Sequence, residues 1–341
     1  MRFGPAILSV CALAAGTGAT CAAQSPEARL EPTSPPPAGD RILADDDPTD
    51  GLEPAGKPAA GGPPAAPPRS AGIGYIHQFD ASLDNGGSMS VDRFYGSYSA
   101  RLFTAEDFSF TLAMGYEFGW YHWNDSPLGT EKPWSSVNLF GLQARGAFRV
   151  APDWMATVAG LFGLAGETDA DAGSSIYGGG LASVAYAPNP DLVLGLGVLG
   201  VTQIENPPIV IPVPVVHWHF ADEWVLSTIR RPPASPFVGI DLAWEPQGSK
   251  ADLSLGIGWQ QRRFRLGPSS DPTTSNGVGL DQTWAAFATV GYDVTPGLRI
   301  DGLIGVQFLE SLELQDSQGN KQRDANVDPN ALLGVFLTWQ F

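Results

Sequence analysis

The chain has little charge, little cysteine and no long apolar run, and each shortage excludes a class of protein. Only 16% of the 341 residues are charged and the net charge is -17, so the basic face of a nucleic-acid-binding protein is missing. No apolar run reaches about 18 residues, the length that a membrane-spanning helix requires. Both cysteines, Cys11 and Cys21, precede Ala23, so a chain cut at Ala23 contains no disulfide.

The beginning of the chain predicts export. A basic Arg2, an apolar stretch and small residues up to Ala23 are typical of a secretory signal peptide over 1–23. A lipid anchor on Cys21 is the alternative, but Gly18 is not the bulky aliphatic residue expected three positions upstream. Residues 24–70 are rich in proline, alanine and glycine and poor in residues that form a core, which predicts a disordered periplasmic tether.

After Ser70 the sequence becomes a series of segments in which apolar residues alternate with small or polar ones. Short turns of proline, aspartate and glycine join every second pair, and longer polar loops join the others. This pattern predicts an all-β fold, a transmembrane antiparallel up-and-down β-barrel over 71–341 with about 14 strands. The predicted strands are 71–80, 91–102, 108–123, 134–149, 154–166, 174–186, 192–205, 213–220, 224–231, 237–245, 251–265, 281–293, 298–311 and 331–341.

The two faces of these segments differ in a way that favours a barrel in lipid. In the third segment Phe110, Met114 and Trp120 share one face, while Gly115 and Glu117 share the other. A soluble β-sandwich would carry far more charge on its outward face. Charges that lie on the same face as the glycines indicate a polar interior and an apolar exterior.

The stretch 205–214 is the exception to this regular pattern. It contains Pro207, Pro208, Pro212 and Pro214 around the apolar Ile209 to Ile211, and prolines interrupt the hydrogen bonds of a closed barrel. The stretch is therefore predicted to be a loop that either folds into the mouth or packs on the rim. The two segments after it are shorter than a tilted spanning strand, so 12 strands is the alternative count.

The last segment, 331–341, ends the chain on an aromatic residue. Its apolar face is formed by Leu333, Val335, Leu337, Trp339 and Phe341. This pattern resembles the assembly signal of bacterial outer-membrane β-barrel proteins, which are porin-like in many cases, and the resemblance covers the signal peptide and the whole chain after Ser70.

The resemblance to outer-membrane barrels implies two partners, the lipid bilayer and the barrel-assembly machinery, and a multi-pass barrel with both termini periplasmic. The stretch 206–214, together with Trp218 and residues 222–226, further resembles a family of functionally uncharacterised barrels within that class, which implies no activity.

Ten charged residues lie on the face predicted to line the barrel. They are Arg93, Arg101, Glu117, Arg145, Arg149, Asp241, Asp252, Arg262, Arg299 and Asp301. Two interpretations are open and compatible: the charges pair with one another inside the barrel, or they line a pore whose transverse field sorts polar solutes.

The sequence gives no basis for an enzyme, a metal site or a cofactor. None of the four histidines belongs to a Gly-x-Ser-x-Gly or His-Glu-x-x-His motif. His217 and His219 share a strand face, but without an acid on that strand they are interpreted as hydrogen-bonded interior residues. Gly178 to Gly180 lack the Lys-Ser/Thr of a phosphate loop.

Three functions are consistent with such a barrel. The first is a passive porin-like channel for small polar solutes through a mixed-charge interior. The second is a structural or anchoring barrel that carries the proline-rich tether to a periplasmic partner. The third is a transporter of hydrophobic molecules, suggested by the apolar residues 209–211. A barrel of about 14 strands is expected to be wide enough for a pore, unless side chains or loops fill its interior.

Overall fold

A computed structural model of the protein describes residues 69–129, 132–228 and 237–341. The predicted signal peptide and nearly all of the predicted tether lie outside these residues, and the first strand already begins at Arg69. The strands are β1 (Arg69–Ser82), β2 (Ser88–Ala105), β3 (Phe108–Asn124), β4 (Ser136–Ala151), β5 (Trp154–Glu167), β6 (Ile176–Asn189), β7 (Leu192–Gln203), β8 (Asn206–Ala221), β9 (Trp224–Ser227), β10 (Val238–Trp244), β11 (Ala251–Arg265), β12 (Val278–Thr295), β13 (Leu298–Gln315), β14 (Lys321–Val327) and β15 (Asn330–Gln340).

The strands close into an antiparallel barrel. Consecutive strands pair from β1 to β13, β13 pairs with β15, and β15 pairs with β1. Of the fifteen strands only β14 stands outside the ring, since it pairs with β13 alone, so the ring has 14 strands. The predicted fold and the preferred strand count are therefore confirmed.

The outer surface of the ring carries a broad apolar belt. Large side chains that point outward are exposed on strand after strand, among them Ile73, Met114, Leu196, Leu255 and Ile304. Between them, inward residues on the same strands are buried, as the alternating pattern predicts. A closed barrel with this belt spans a membrane, and the chain is a β-barrel of the outer-membrane class. Among the described residues, no helix is long and apolar enough to cross a bilayer.

The final strand occupies the place predicted for it. β15 pairs with β1 on one side and with β13 on the other. Leu333, Val335, Trp339 and Phe341 point outward and are exposed. The backbone groups of Phe341 and Arg69 exchange two hydrogen bonds, at 2.9 and 3.0 Å, so the last residue is held against the first strand.

The loop prediction for 205–214 was wrong, because β8 runs through all four prolines and pairs with β7 along this stretch. The reason lies on the other side of β8. Its partner β9 is short and reaches only residues 217–221, so the described strands leave Asn206 to Val215 unpaired on that side. The N–H of Val216 points to that side, and alternation gives Pro212 and Pro214 the same direction. Pro212 and Pro214 therefore lack N–H groups on a side where no described strand would accept them.

One smaller difference concerns a connection. The connection between the predicted strands 298–311 and 331–341 contains β14, which extends the β13 hairpin beyond the ring. Gly178 to Gly180 lie inside β6 and pair with β5, so they form part of the wall and not a phosphate loop. The ring thus has a short-turn end, which holds both ends of the described barrel, and a long-loop end.

Candidate functional site

The long-loop halves of β11 and β12 turn into the barrel, while residues 278–282 of β12 stay paired with 311–315 of β13. Wall strands alternate between exposed and buried residues, but from Gly258 to Arg265 and from Val278 to Thr283 every residue is buried. Near its tip this hairpin reaches a strand on the far side of the interior, where Arg265 of β11 pairs with Gly166 of β5. We name residues 258–283 the inner hairpin. It occupies the mouth at the long-loop end.

Apolar packing surrounds the inner hairpin. Its Phe264 is fully buried and meets the ring of Trp134 edge to face, with 5.4 Å between the ring centroids. On the opposite face, Trp259 belongs to the same buried cluster as Leu199 and Ile211 on the inner side of β7 and β8. The mouth is therefore closed by a hydrophobic core like that of a soluble domain.

Four buried charged residues join the inner hairpin to the wall, and we name them the latch. Arg262 of the hairpin contacts Glu117 of β3 at 2.5 Å and its neighbour Asp281 at 3.4 Å. Arg93 of β2 contacts Asp281 at 2.9 Å and Glu117 at 3.8 Å. Tyr121 donates a hydrogen bond to Asp281 at 2.6 Å. The latch has two guanidinium groups and two carboxylates, so its charges balance.

A third carboxyl group, Glu310 of β13, lies next to the latch and is 1% exposed. Gln78 bridges it to the latch, because the Gln78 amide donates to Glu310 Oε2 at 2.8 Å and accepts from Arg93 at 2.8 Å. Asn330 donates to the same oxygen at 3.3 Å. Glu310 Oε1 has no hydrogen-bond partner among the described residues, and neither has Asp281 Oδ1.

The tip of the inner hairpin is held by the loops around it. Arg263 donates to the backbone oxygen of Ile204, at the β7–β8 turn, at 2.6 Å. Arg265 donates to the backbone oxygen of Ser174 at 3.1 Å and forms an ion pair with Glu205. The hairpin is thus attached by the latch, by the pairing of 278–282 with β13, and at its tip by loop backbone and by the ion pair of Arg265 with Glu205.

An outer contact involves β14. Arg323 donates to the backbone oxygen of Leu128 at 2.6 Å and lies 3.6 Å from Asp271, in the loop of the inner hairpin. The backbone N–H of Thr273 donates to Asp271 and, together with the positive charge of Arg323, holds the pKa of that carboxyl below its usual range. Asp271 therefore stays charged in mildly acidic solution and keeps this contact.

The ten residues predicted to line the interior divide into two groups. Arg93, Glu117 and Arg262 meet in the latch. The others lie nearer the short-turn end, where Arg299 contacts Asp252 at 2.7 Å and Asp301 at 2.9 Å. Arg145 and Asp241 are also buried there, and Arg101 and Arg149 are half-buried.

Charge at the short-turn end is segregated. Arg101, Arg145 and Arg149 belong to β2 and β4, whereas Asp241, Asp252 and Asp301 belong to β10, β11 and β13. Apart from Arg299 of β13, which contacts Asp252 and Asp301, the inward groups named here therefore occupy different sectors of the ring according to their sign.

Sequence reasoning missed Asp281, Glu310 and the inner hairpin. A β-bulge at Leu309, whose φ is 51°, reverses the alternation in β13, so Glu310 points inward where strict period-two reading would point it to lipid. A signal for the hairpin was present. Arg263 and Arg265 alternate with the inward Arg262 and so would face lipid in a wall strand, which a barrel does not tolerate.

The histidine pair of β8 lies on one face, with the rings of His217 and His219 edge to face and 4.9 Å apart. No group of three or more histidine, cysteine, aspartate or glutamate side chains in the described part of the chain has the geometry of a metal site.

Neither a family model nor a curated protein matches the chain. Solved structures that match include outer-membrane β-barrels. A FadL homologue from Pseudomonas aeruginosa is 11% identical, with 81% of this chain and 90% of that chain covered and a TM-score of 0.41. The toluene transporter TodX from P. putida is 10% identical over 82% and 90%, with a TM-score of 0.37. The KdgM porin is 10% identical over 79% and 99%, with a TM-score of 0.33. Similarity at this level is limited to barrel architecture and carries no information about substrates.

Proposed function

We propose that this outer-membrane barrel is a gated transporter of small apolar molecules, with the inner hairpin as its gate. The observation that carries the proposal is the hairpin itself, folded into the mouth and held in apolar packing. A passive open pore would have no need of it. In the arrangement described here the gate is closed.

The surface that the hairpin covers suits apolar cargo. The inner faces of β7 and β8 present Leu199, Val201, Ile209 and Ile211 toward the hairpin. Leu199, Val201 and Ile211 are at most 7% exposed. Displacement of the hairpin would uncover this surface. An apolar molecule that replaced the hairpin there would recover about 25 cal/mol for each Å² of apolar surface kept from water.

The latch is built so that it can part. Arg262 and Asp281 lie directly opposite each other within the hairpin, while Arg93 and Glu117 both belong to the wall. Separation of hairpin and wall therefore leaves one cation and one anion on each side. Buried ion pairs are costly to break when a charge is left alone, and here neither half would be left with a net charge.

A polar-solute channel is the second candidate, favoured by the segregated charges at the short-turn end. Arginines on β2 and β4 facing carboxylates on β10, β11 and β13 would orient polar solutes. Both candidates require the gate to move. We place the short-turn end, with both termini, in the periplasm, since bacterial outer-membrane barrels have short periplasmic turns and long external loops.

A reversible tether tests the gate. Gly166 and Arg265 are paired between β5 and the hairpin, so the variant Gly166→Cys with Arg265→Cys would form a disulfide that holds the hairpin in the mouth. Accumulation of a radiolabelled aromatic hydrocarbon is measured in cells that carry the protein, and swelling of protein-containing liposomes is measured in amino acids and sugars.

We expect the oxidised double variant to be inactive and reduction to restore transport. Each single-cysteine variant is the control for the loss of Gly166 or Arg265. Hydrocarbon uptake without liposome swelling favours the apolar transporter, and swelling alone favours the polar channel. Equal transport by oxidised and reduced protein would exclude the hairpin as the gate.

A further inference from the structure

We propose that the Glu310 carboxyl group carries a proton while the barrel is closed, and that opening of the inner hairpin releases this proton. The inference rests on the proposed gate for its second half. Its first half concerns only the closed structure and is independent of transport.

The count of buried charges carries the first half. Arg93 and Arg262 balance Glu117 and Asp281, with four contacts between 2.5 and 3.8 Å. Glu310 is the extra acid. It has no ion pair within 4 Å among the described residues, although it is as buried as the latch.

Among the described residues, no cation lies within ion-pair distance of Glu310. The charged groups near it are Asp281 on β12 and Arg93 on β2, and Asp281 repels a second negative charge. The other titratable groups of this cluster are Arg262 of β11, Glu117 and Tyr121 of β3, and Tyr95 of β2, all within the balanced latch or bonded to it. The remaining neighbours, on β1, β14 and β15, are the uncharged Gln78, Val327 and Asn330.

An ionised Glu310 would therefore be a lone charge away from water. Such a charge costs several kcal/mol even after relaxation, and buried acids escape the cost by binding a proton. A neutral carboxylic acid keeps the observed hydrogen bonds, since Oε2 still accepts from Gln78 and Asn330. Proton uptake needs no other ion and no rearrangement of the latch.

The release of the proton follows from the movement of the inner hairpin away from the wall. When Arg262 and Asp281 leave with the hairpin, water reaches the wall residues that they covered, and Glu310 can ionise at little cost. The closed state then binds one more proton than the open state. Linkage therefore makes the closed state dominant at low pH. Between the pH at which Glu310 ionises in the open state and the higher pH at which it ionises in the closed state, the open-to-closed ratio rises by about tenfold per pH unit.

Glu310→Gln keeps the shape and hydrogen bonds of the neutral acid, and Glu313→Gln is the matched control three residues along β13, at a half-buried position. Infrared spectroscopy of the purified barrel tests the first half. We expect the carbonyl band of a protonated carboxylic acid in the wild type and in Glu313→Gln, and its loss in Glu310→Gln. Absence of that band from the wild type overturns the proposal. If the band is absent and sodium or calcium ions stabilise the barrel, a metal cation occupies the place of the proton.

Transport against pH tests the second half. We expect the wild type and Glu313→Gln to open as the pH rises, and Glu310→Gln to stay closed throughout. The same pH dependence in Glu310→Gln overturns the coupling. Absence of transport at every pH in all three proteins overturns the proposed gate, while the infrared band still decides whether Glu310 holds a proton.

Discussion

Removal of one latch cation should open the gate by an amount that the structure allows to be worked out. Arg262→Met replaces the guanidinium by an apolar side chain and deletes the contacts to Glu117 and Asp281. Loss of one partner from a buried ion pair costs about 3–5 kcal/mol, because the other charge is left uncompensated. Glu117 keeps Arg93 at 3.8 Å, so we expect the lower end of this range.

This cost falls on the closed state alone, because in the open state water solvates the carboxylates. A shift of about 3 kcal/mol raises the open-to-closed ratio by about 100-fold, since every 1.4 kcal/mol is a factor of ten. A single reporter cysteine at Gln282, which is 7% exposed in the hairpin, is labelled only when the gate opens. Labelling by a charged maleimide should therefore be about 100-fold faster in Arg262→Met than in the parent.

Two further variants make the result specific. Arg299→Met removes a half-buried arginine at the short-turn end, outside the latch, and should leave the labelling rate at the reporter unchanged. Adding Glu117→Gln to Arg262→Met removes the carboxylate left behind and should recover most of the closed state, as coupled residues do in a double-mutant cycle. Labelling of Arg262→Met at the parent rate, with normal heat-modifiable folding, would refute the role of Arg262 in holding the gate closed.

Three other predictions concern packing, assembly and the outer contact. Trp134→Ala should lower the free energy of unfolding by about 3–5 kcal/mol, because a fully buried ring is lost. The measurement is urea unfolding, followed by heat-modifiable mobility. Trp154 is exposed and faces lipid, so Trp154→Ala should lower this free energy far less. Phe341→Ala, or deletion of that residue, should impair assembly more than removal of any external loop, and unchanged heat-modifiable folding would contradict this. Arg323→Ala should expose the β3–β4 loop to protease at neutral pH. In the wild type the same cleavage should appear only in acid strong enough to protonate Asp271, whose pKa is lowered, and equal cleavage of both proteins at neutral pH would count against the contact.

The strand pattern could be predicted because it depends on local chemistry. The face that Leu333, Val335 and Trp339 present to lipid is dictated by period-two alternation, and the turn residues between strands fix where each strand ends. Closure also follows, because no strand edge is tolerated in a bilayer. The pairing of β15 with β1 and β13 was predictable on that ground.

The prediction failed where a residue's setting depends on distant strands. Pro212 is acceptable in β8 only because the described part of β9 ends before it, and no property of 205–214 itself reveals the length of β9. Glu310 turns inward because of the bulge at Leu309, which period-two reading does not anticipate.

The sequence by itself determined a closed membrane barrel, its apolar belt and the residues available to its interior, since these follow from alternation and from the demands of lipid. Only the tertiary structure decided what the interior does. Arg262 could equally have lined an open pore, and it became part of a latch because residues 258–283 fold inward and bring it to Glu117, which is 145 positions away in the chain. Contacts of this kind depend on the path of the whole ring, which no local pattern specifies.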